Sequence, residues 1–224
     1  LLNMLENSSK TTVALTTGLA LGGGLELALA CDYRIGTRRT QFRFPETSIG
    51  IYPGLGGSQR PARICGIPAA RWAVLAGNFM DANTAADLGL VTHLVDVAAV
   101  DECINTLATE GKPAVKYPGQ PANPSSPVAK FATSFFTDEN MPVLMNGECP
   151  DGFDQGEKIV ARQIKSLSFT APIGLQMASD LIDATAKTDL QAGLQLELDG
   201  LNTIFATKDL SLIHISEPTR PCSI

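Results

Sequence analysis

Three consecutive glycines, Gly22 to Gly24, join the β-branched apolar run Thr11 to Thr16 to a helix-period apolar stretch that begins at Leu25. This junction constrains the fold most, because a strand must here pass through backbone without side chains into the start of a helix. Such a start turns its first free N–H groups outward and is partly positive, so charge developing on a carbonyl oxygen is stabilised there. For the glycines taken alone, tight contact of a helix with a sheet is the favoured reading. There is no Gly-Lys-Ser/Thr phosphate loop, and no Gly-x-Gly-x-x-Gly stands at this strand end.

Glu26 lies in the first turn of that helix among Leu25, Leu27, Ala28 and Leu29, all apolar. A carboxylate in such company is expected to be partly buried, although a favourable charge at a helix N-terminus accounts for it equally well. Glu46 follows Pro45 at the mouth of a loop rich in Gly and Pro, Pro45 to Gly57, and alone reads as a surface acid. Facing one site, two carboxylates raise at least one pKa, so that one keeps a proton while the other stays ionised, which suits addition of water to a double bond. Histidine offers no competing chemistry: the chain has His93 and His214 only.

The remaining pattern reads as strands at Tyr33 to Gly36, Thr40 to Phe44 and Leu90 to Val95, with short helices over Ser58 to Cys65, Ala69 to Gly77 and Asn83 to Gly89. Asp81 or Asn83 is the cap of the last. Val97 to Glu110 reads as a helix, as do Glu157 to Leu167, Pro172 to Ala186 and Leu190 to Thr207. Between them, Gly111 to Gly156 is rich in Pro, Asn, Ser and Gly and reads as a linker or insertion with short helices over Val128 to Thr137 and Glu139 to Met145. With 44% apolar residues the chain buries a core, and a net charge of −6 argues against a nucleic-acid partner. Five cysteines without metal-ligand spacing suit a reducing cytoplasm, and no stretch is long and apolar enough to span a membrane.

Four ordered blocks carry a resemblance: Gly18 to Tyr33, Phe44-Pro-Glu46, Gly50 to Arg60, and Ala85 to Val91. They resemble the enoyl-CoA hydratase/isomerase, or crotonase, superfamily, closely over about residues 1 to 96 and more loosely over Ala171 to Asp209. The resemblance implies an α/β fold: a partial crotonase-type ββα spiral over 1–110 and a C-terminal helical region over 157–209, with the Pro-rich insertion or linker 111–156 standing between them as a departure. It implies that Glu26 activates a water and Glu46 protonates the α-carbon. Gly23 would give an oxyanion N–H and Gly54 a water-positioning N–H, in a substrate loop with Gly22, Gly24 and Pro53. The implied reaction is syn hydration of a trans-2-enoyl-CoA in fatty-acid β-oxidation, with CoA as part of the substrate and no separate cofactor. A homotrimer or dimer of trimers is implied with it.

Two departures shape the expectation. The chain begins at Leu1 without methionine, and the family's N-terminal turns, which supply a second oxyanion donor, are expected to be missing. The insertion resembles the hydratase half of 3-hydroxyacyl-CoA dehydrogenase/enoyl-CoA hydratase fusions, which implies an NAD-binding domain upstream. The tail Leu210 to Ile224 resembles a translated sequencing adapter and is expected to be non-native. The alternatives are an enoyl-CoA isomerase, which commonly needs only the carboxylate at Glu46; a Clp-type peptidase, for which Ser and His are poorly supplied; and a non-catalytic scaffold, RNA-binding homologue or inactive fragment.

Overall fold

A computed structural model describes residues 2–207. The expectation for the tail from Leu210 lies outside the described residues. After α1 (Leu2–Glu6), β1 (Val13–Thr16) leads through a short turn into β2 (Leu19–Leu21), and the glycine run opens α2 (Gly23–Ala30). β3 (Tyr33–Gly36) and β4 (Gln41–Arg43) follow, and Glu46–Ile49 forms a turn of 3-10 helix where the sequence reads as open loop. Then come α3 (Arg60–Cys65), α4 (Ile67–Val74), β5 (Met80–Asp81), α5 (Ala82–Asp87), β6 (His93–Leu94) and α6 (Val100–Glu110). Asp81 is the α5 cap, its carboxylate accepting from the Thr84 N–H.

The strands form two three-stranded sheets, ordered β1-β3-β6 and β2-β4-β5. All pairings are parallel except β4 with β5; Val13 stands opposite Tyr33, and Leu19 opposite Gln41. Each β1-to-β3 and β2-to-β4 connection passes through α2, so this helix is buried by the coil of the chain, with Leu25 and Leu29 fully inside. The expectation of burial all round fails at Leu27, which is exposed and lines a groove with residues of β1 and β2.

Residues 111–156 do not form a free linker. Their helices α7 (Pro127–Phe135) and α8 (Met141–Met145) place Ala129, Ala132, Phe135, Phe136, Met141 and Leu144 in the main core beside Ala69, Trp72 and Ala73. Ser126 caps α7 by accepting from the Ala129 N–H. The proline-rich stretch before it is also held: Lys112 pairs with Asp32, the Gly119 N–H donates to the Arg63 carbonyl, and Asn123 bonds Asp87. The composition that suggests a linker is met instead by turns whose backbone groups find fixed partners.

Helices α9 (Lys158–Ser168), α10 (Pro172–Asp183) and α11 (Leu190–Phe205) complete the chain. α11 lies against the Tyr52 to Arg60 segment, and its buried positions are Gly193, Glu197 and Ile204. These fall on one helical face, while Leu196 and Leu198, apolar neighbours of Glu197, are 42% and 59% exposed. Among the described residues no helix is long and apolar enough to cross a membrane.

Candidate active site

The site begins with the conformation of Gly22, at φ 50° and ψ −126°, which residues with a Cβ rarely adopt. This turn lets the chain leave β2, whose neighbour β4 receives the Gly22 N–H at the Arg43 carbonyl, and enter α2. It also leaves space that is filled from another element. A Cβ on Gly22 would stand 2.5 Å from Oε1 of Glu46. The Glu46 carboxyl therefore lies against the backbone at the start of the helix that carries Glu26.

Glu26, 2% exposed, points the other way along that turn, towards the segment Pro53 to Ser58. Its Oε1 accepts from the Leu55 and Gly57 N–H groups, both at 2.7 Å. A Cβ on Gly57 would be 2.8 Å from that oxygen and 2.5 Å from the Pro53 Cβ, so the loop reaches the carboxylate only because position 57 has no side chain. Oε2 of Glu26 takes no hydrogen bond among the described residues. Burial raises the Glu26 pKa, and the two N–H donors and the Arg60 charge oppose the rise.

Glu46 has a contrasting environment. It is 8% exposed, its Oε2 is buried with no hydrogen-bond partner among the described residues, and its pKa is pushed up to about 7, first by burial and then by the charge of Glu26. One carboxyl is thus supplied with donors that favour its ionised form, and the other is left to keep a proton.

The other expected residues fall around this pair. Gly23 opens α2, so its N–H has no partner within the helix, and Gly24 borders an open apolar groove of about 830 Å³ along β1, β2 and α2. Pro53 is buried, and the Gly54 N–H meets no acceptor among the described residues. A groove of similar size, about 820 Å³, between α3, α4 and residues 117–139 is lined by neither glutamate and lies apart from this chemistry. His93 meets Tyr33 edge to face on the outer sheet and has no contact with the carboxylates.

Sequence reasoning missed a further buried carboxyl at this site. Glu197 on α11, 1% exposed, accepts at Oε2 from the Gly56 N–H (2.7 Å) and at Oε1 from the Ser58 N–H (3.0 Å) and hydroxyl (2.6 Å). Burial raises its pKa to about 7, with the Glu26 charge adding to the rise and Ser58 opposing it. The available signal was an acid between two leucines, four residues after Gly193, on the helix face that the glycine opens.

Comparison with known proteins gives the family. The family profile described as Enoyl-CoA hydratase/isomerase matches residues 1–211. A short-chain-enoyl-CoA hydratase of Clostridioides difficile is 37% identical over 115 residues, half of this chain and 74% of that protein. A peroxisomal bifunctional enzyme of Danio rerio is 40% identical over 114 residues, half of this chain and 16% of that one. The chain spans less than half the length of the first curated relatives it matches. The solved structure of a carnitinyl-CoA dehydratase from Mycobacterium thermoresistibile superimposes with a TM-score of 0.73 at 17% identity, covering 98% of this chain and 64% of that one, and shows the shared fold.

Proposed function

From the premise that this chain belongs to the enoyl-CoA hydratase/isomerase family, we propose that it adds water across the double bond of a trans-2-enoyl-CoA in β-oxidation, giving a 3-hydroxyacyl-CoA. The observation that carries this reading is the unequal treatment of its two carboxyls: Glu26 holds two backbone donors, and Glu46 holds an orphaned oxygen and a pKa of about 7. Ionised Glu26 takes a proton from water through its free Oε2 as the water oxygen bonds to C3. Glu46 delivers its proton to C2. Enolate-like charge on the thioester oxygen is met by the Gly23 N–H at the positive end of α2, and the Gly54 N–H orients the water. A proton returned from Glu26 to Glu46 through solvent resets the pair.

A second reading has its own observation. The isolated, proton-holding Glu46 suits a single group that moves a proton from C2 to C4, as an isomerase requires. The assay separates the two: loss of the conjugated thioester absorbance of crotonyl-CoA, measured on the full-length protein. Glu26→Gln is expected to lower hydration by about 10²- to 10⁴-fold. Unchanged hydration refutes the assignment, and isomerisation of a 3-enoyl-CoA without hydration favours the second reading.

Besides water, the CoA thioester is the one small molecule this reading requires. The similarity to a bifunctional enzyme supports fusion to an NAD-dependent dehydrogenase domain in the complete protein. The free thiols of Cys31, Cys65, Cys103 and Cys149 support a reducing compartment, for which we keep the cytoplasm. Assembly as a trimer or dimer of trimers is the form the family resemblance favours, and sedimentation velocity tests it.

A further inference from the structure

Four consecutive N–H groups, Leu55 to Ser58, are taken alternately by two carboxylates: residues 55 and 57 by Glu26, residues 56 and 58 by Glu197. The two acids come from opposite sides, α2 and α11, and the loop has no regular structure of its own to hold those groups in place. α11 reaches it closely because Gly193 lies where any Cβ would collide with the Gln59 side-chain oxygen. The Tyr52 hydroxyl donates to the Glu197 backbone carbonyl at 2.5 Å, and Arg60 holds the Leu55 carbonyl from α3 at 2.8 Å. The charged groups that meet on this loop are therefore Glu26, Glu197 and Arg60.

We infer that Glu197 is a positioning residue of the active site: by fixing Gly56 and Ser58 it holds the Leu55 and Gly57 N–H groups on Glu26. The inference rests on the hydratase reading only for its effect on turnover. Glutamine cannot replace this acid. Three donors approach its two oxygens, and an amide in either orientation sets an NH2 against at least one backbone N–H.

The test compares Glu197→Gln, Ser58→Ala and Tyr52→Phe in the full-length protein. Hydrogen exchange is read at Leu55 to Ser58, and kcat and KM are measured with crotonyl-CoA. In Glu197→Gln, protection at all four amides should fall roughly tenfold or more. There kcat should fall about 10- to 100-fold, with KM within about twofold. Ser58→Ala, which removes only a hydroxyl from the Glu197 cluster, should move both readouts the same way by less, and it decides the matter if Glu197→Gln does not fold. Tyr52→Phe, which loosens only the contact with the α11 backbone, should lower Tm and move both readouts by less than Glu197→Gln does. Unaltered protection at Leu55 and Gly57 in Glu197→Gln overturns the inference, as does an equal loss of turnover in Tyr52→Phe. A wild-type protein without hydration overturns the functional reading instead, and exchange still decides the role of Glu197.

Discussion

Replacing Gly22 by alanine tests the central contact of the site. The added Cβ would lie 2.5 Å from Oε1 of Glu46 and 3.7 Å from the Pro45 Cδ. A carbon and an oxygen in ordinary contact stand about 3.4 Å apart, so the carboxyl must retreat by roughly 0.9 Å. It has little room to do so, because its other oxygen is already buried. A displacement near 1 Å of a reacting group costs about 10²-fold in turnover. A second cost falls on the backbone: alanine at φ 50°, ψ −126° is strained by about 1–3 kcal/mol, which lowers Tm by roughly 2–12 °C in a domain of this size. Steady-state hydration of crotonyl-CoA and thermal melts read the two effects separately. Gly18→Ala is the control, since a Cβ there meets nothing within 4 Å and the backbone is unstrained. A variant at Gly22 with lowered Tm and unchanged kcat would refute the argument that this glycine exists for Glu46.

Glu46→Gln should show an opposite sign for stability. The folded pKa of about 7 lies above the ordinary 4.5, so the native state keeps a proton that the unfolded chain gives up, and stability is lost as pH rises from about 4.5 to 7. The variant escapes that loss, so its stability relative to wild type should improve between pH 5 and pH 8 by up to about 3 kcal/mol in urea titrations; a pH-independent difference would contradict the raised pKa. Arg60→Met removes the Leu55 carbonyl's partner and one of the groups paired with Glu6, which keeps Lys116 at 3.2 Å and the Tyr117 hydroxyl. It should cost about 1–3 kcal/mol, and a double-mutant cycle with Glu6→Gln should show coupling; a cycle without coupling would count against the pair. Asp189 caps α11 by accepting from the Ala192 N–H at 2.8 Å, and Asp189→Ala should cost about 1 kcal/mol with kcat unchanged. No change in Tm would show that the cap is not needed.

Glu26 and Glu46 were not readable one at a time, since a charge at a helix start accounts for the first and a surface loop acid for the second; the ordered blocks around them drew the two together through their resemblance to a family, and the structure buries both carboxyls. β2 and β5 were not readable, since strands of three and two residues are defined by their partners in β4 and not by any period of their own. Glu197 was hidden for a further reason. Leu194, Leu201 and Ile204 of α11 turn towards the docked face, but Glu197 takes the place among them where an apolar residue is expected, and the exposed Leu196 and Leu198 beside it carry the local apolar signal instead. The segment 111–126 misled in the same way, because its prolines mark turns whose hydrogen bonds go to distant residues.

The alternating grip on residues 55 to 58 makes the length of this loop a matter of parity. Odd positions serve the acid of α2 and even positions the acid of α11. Adding or deleting one residue before Leu55 would exchange the two sets and present each carboxylate with the wrong backbone groups, whereas adding two would restore the match. Side-chain identity is far less restricted: Leu55 is 55% exposed, and its contribution to Glu26 is made by an N–H that most residues have. The loop should therefore tolerate changes of letter at Leu55, with proline excluded, far better than any odd change of count.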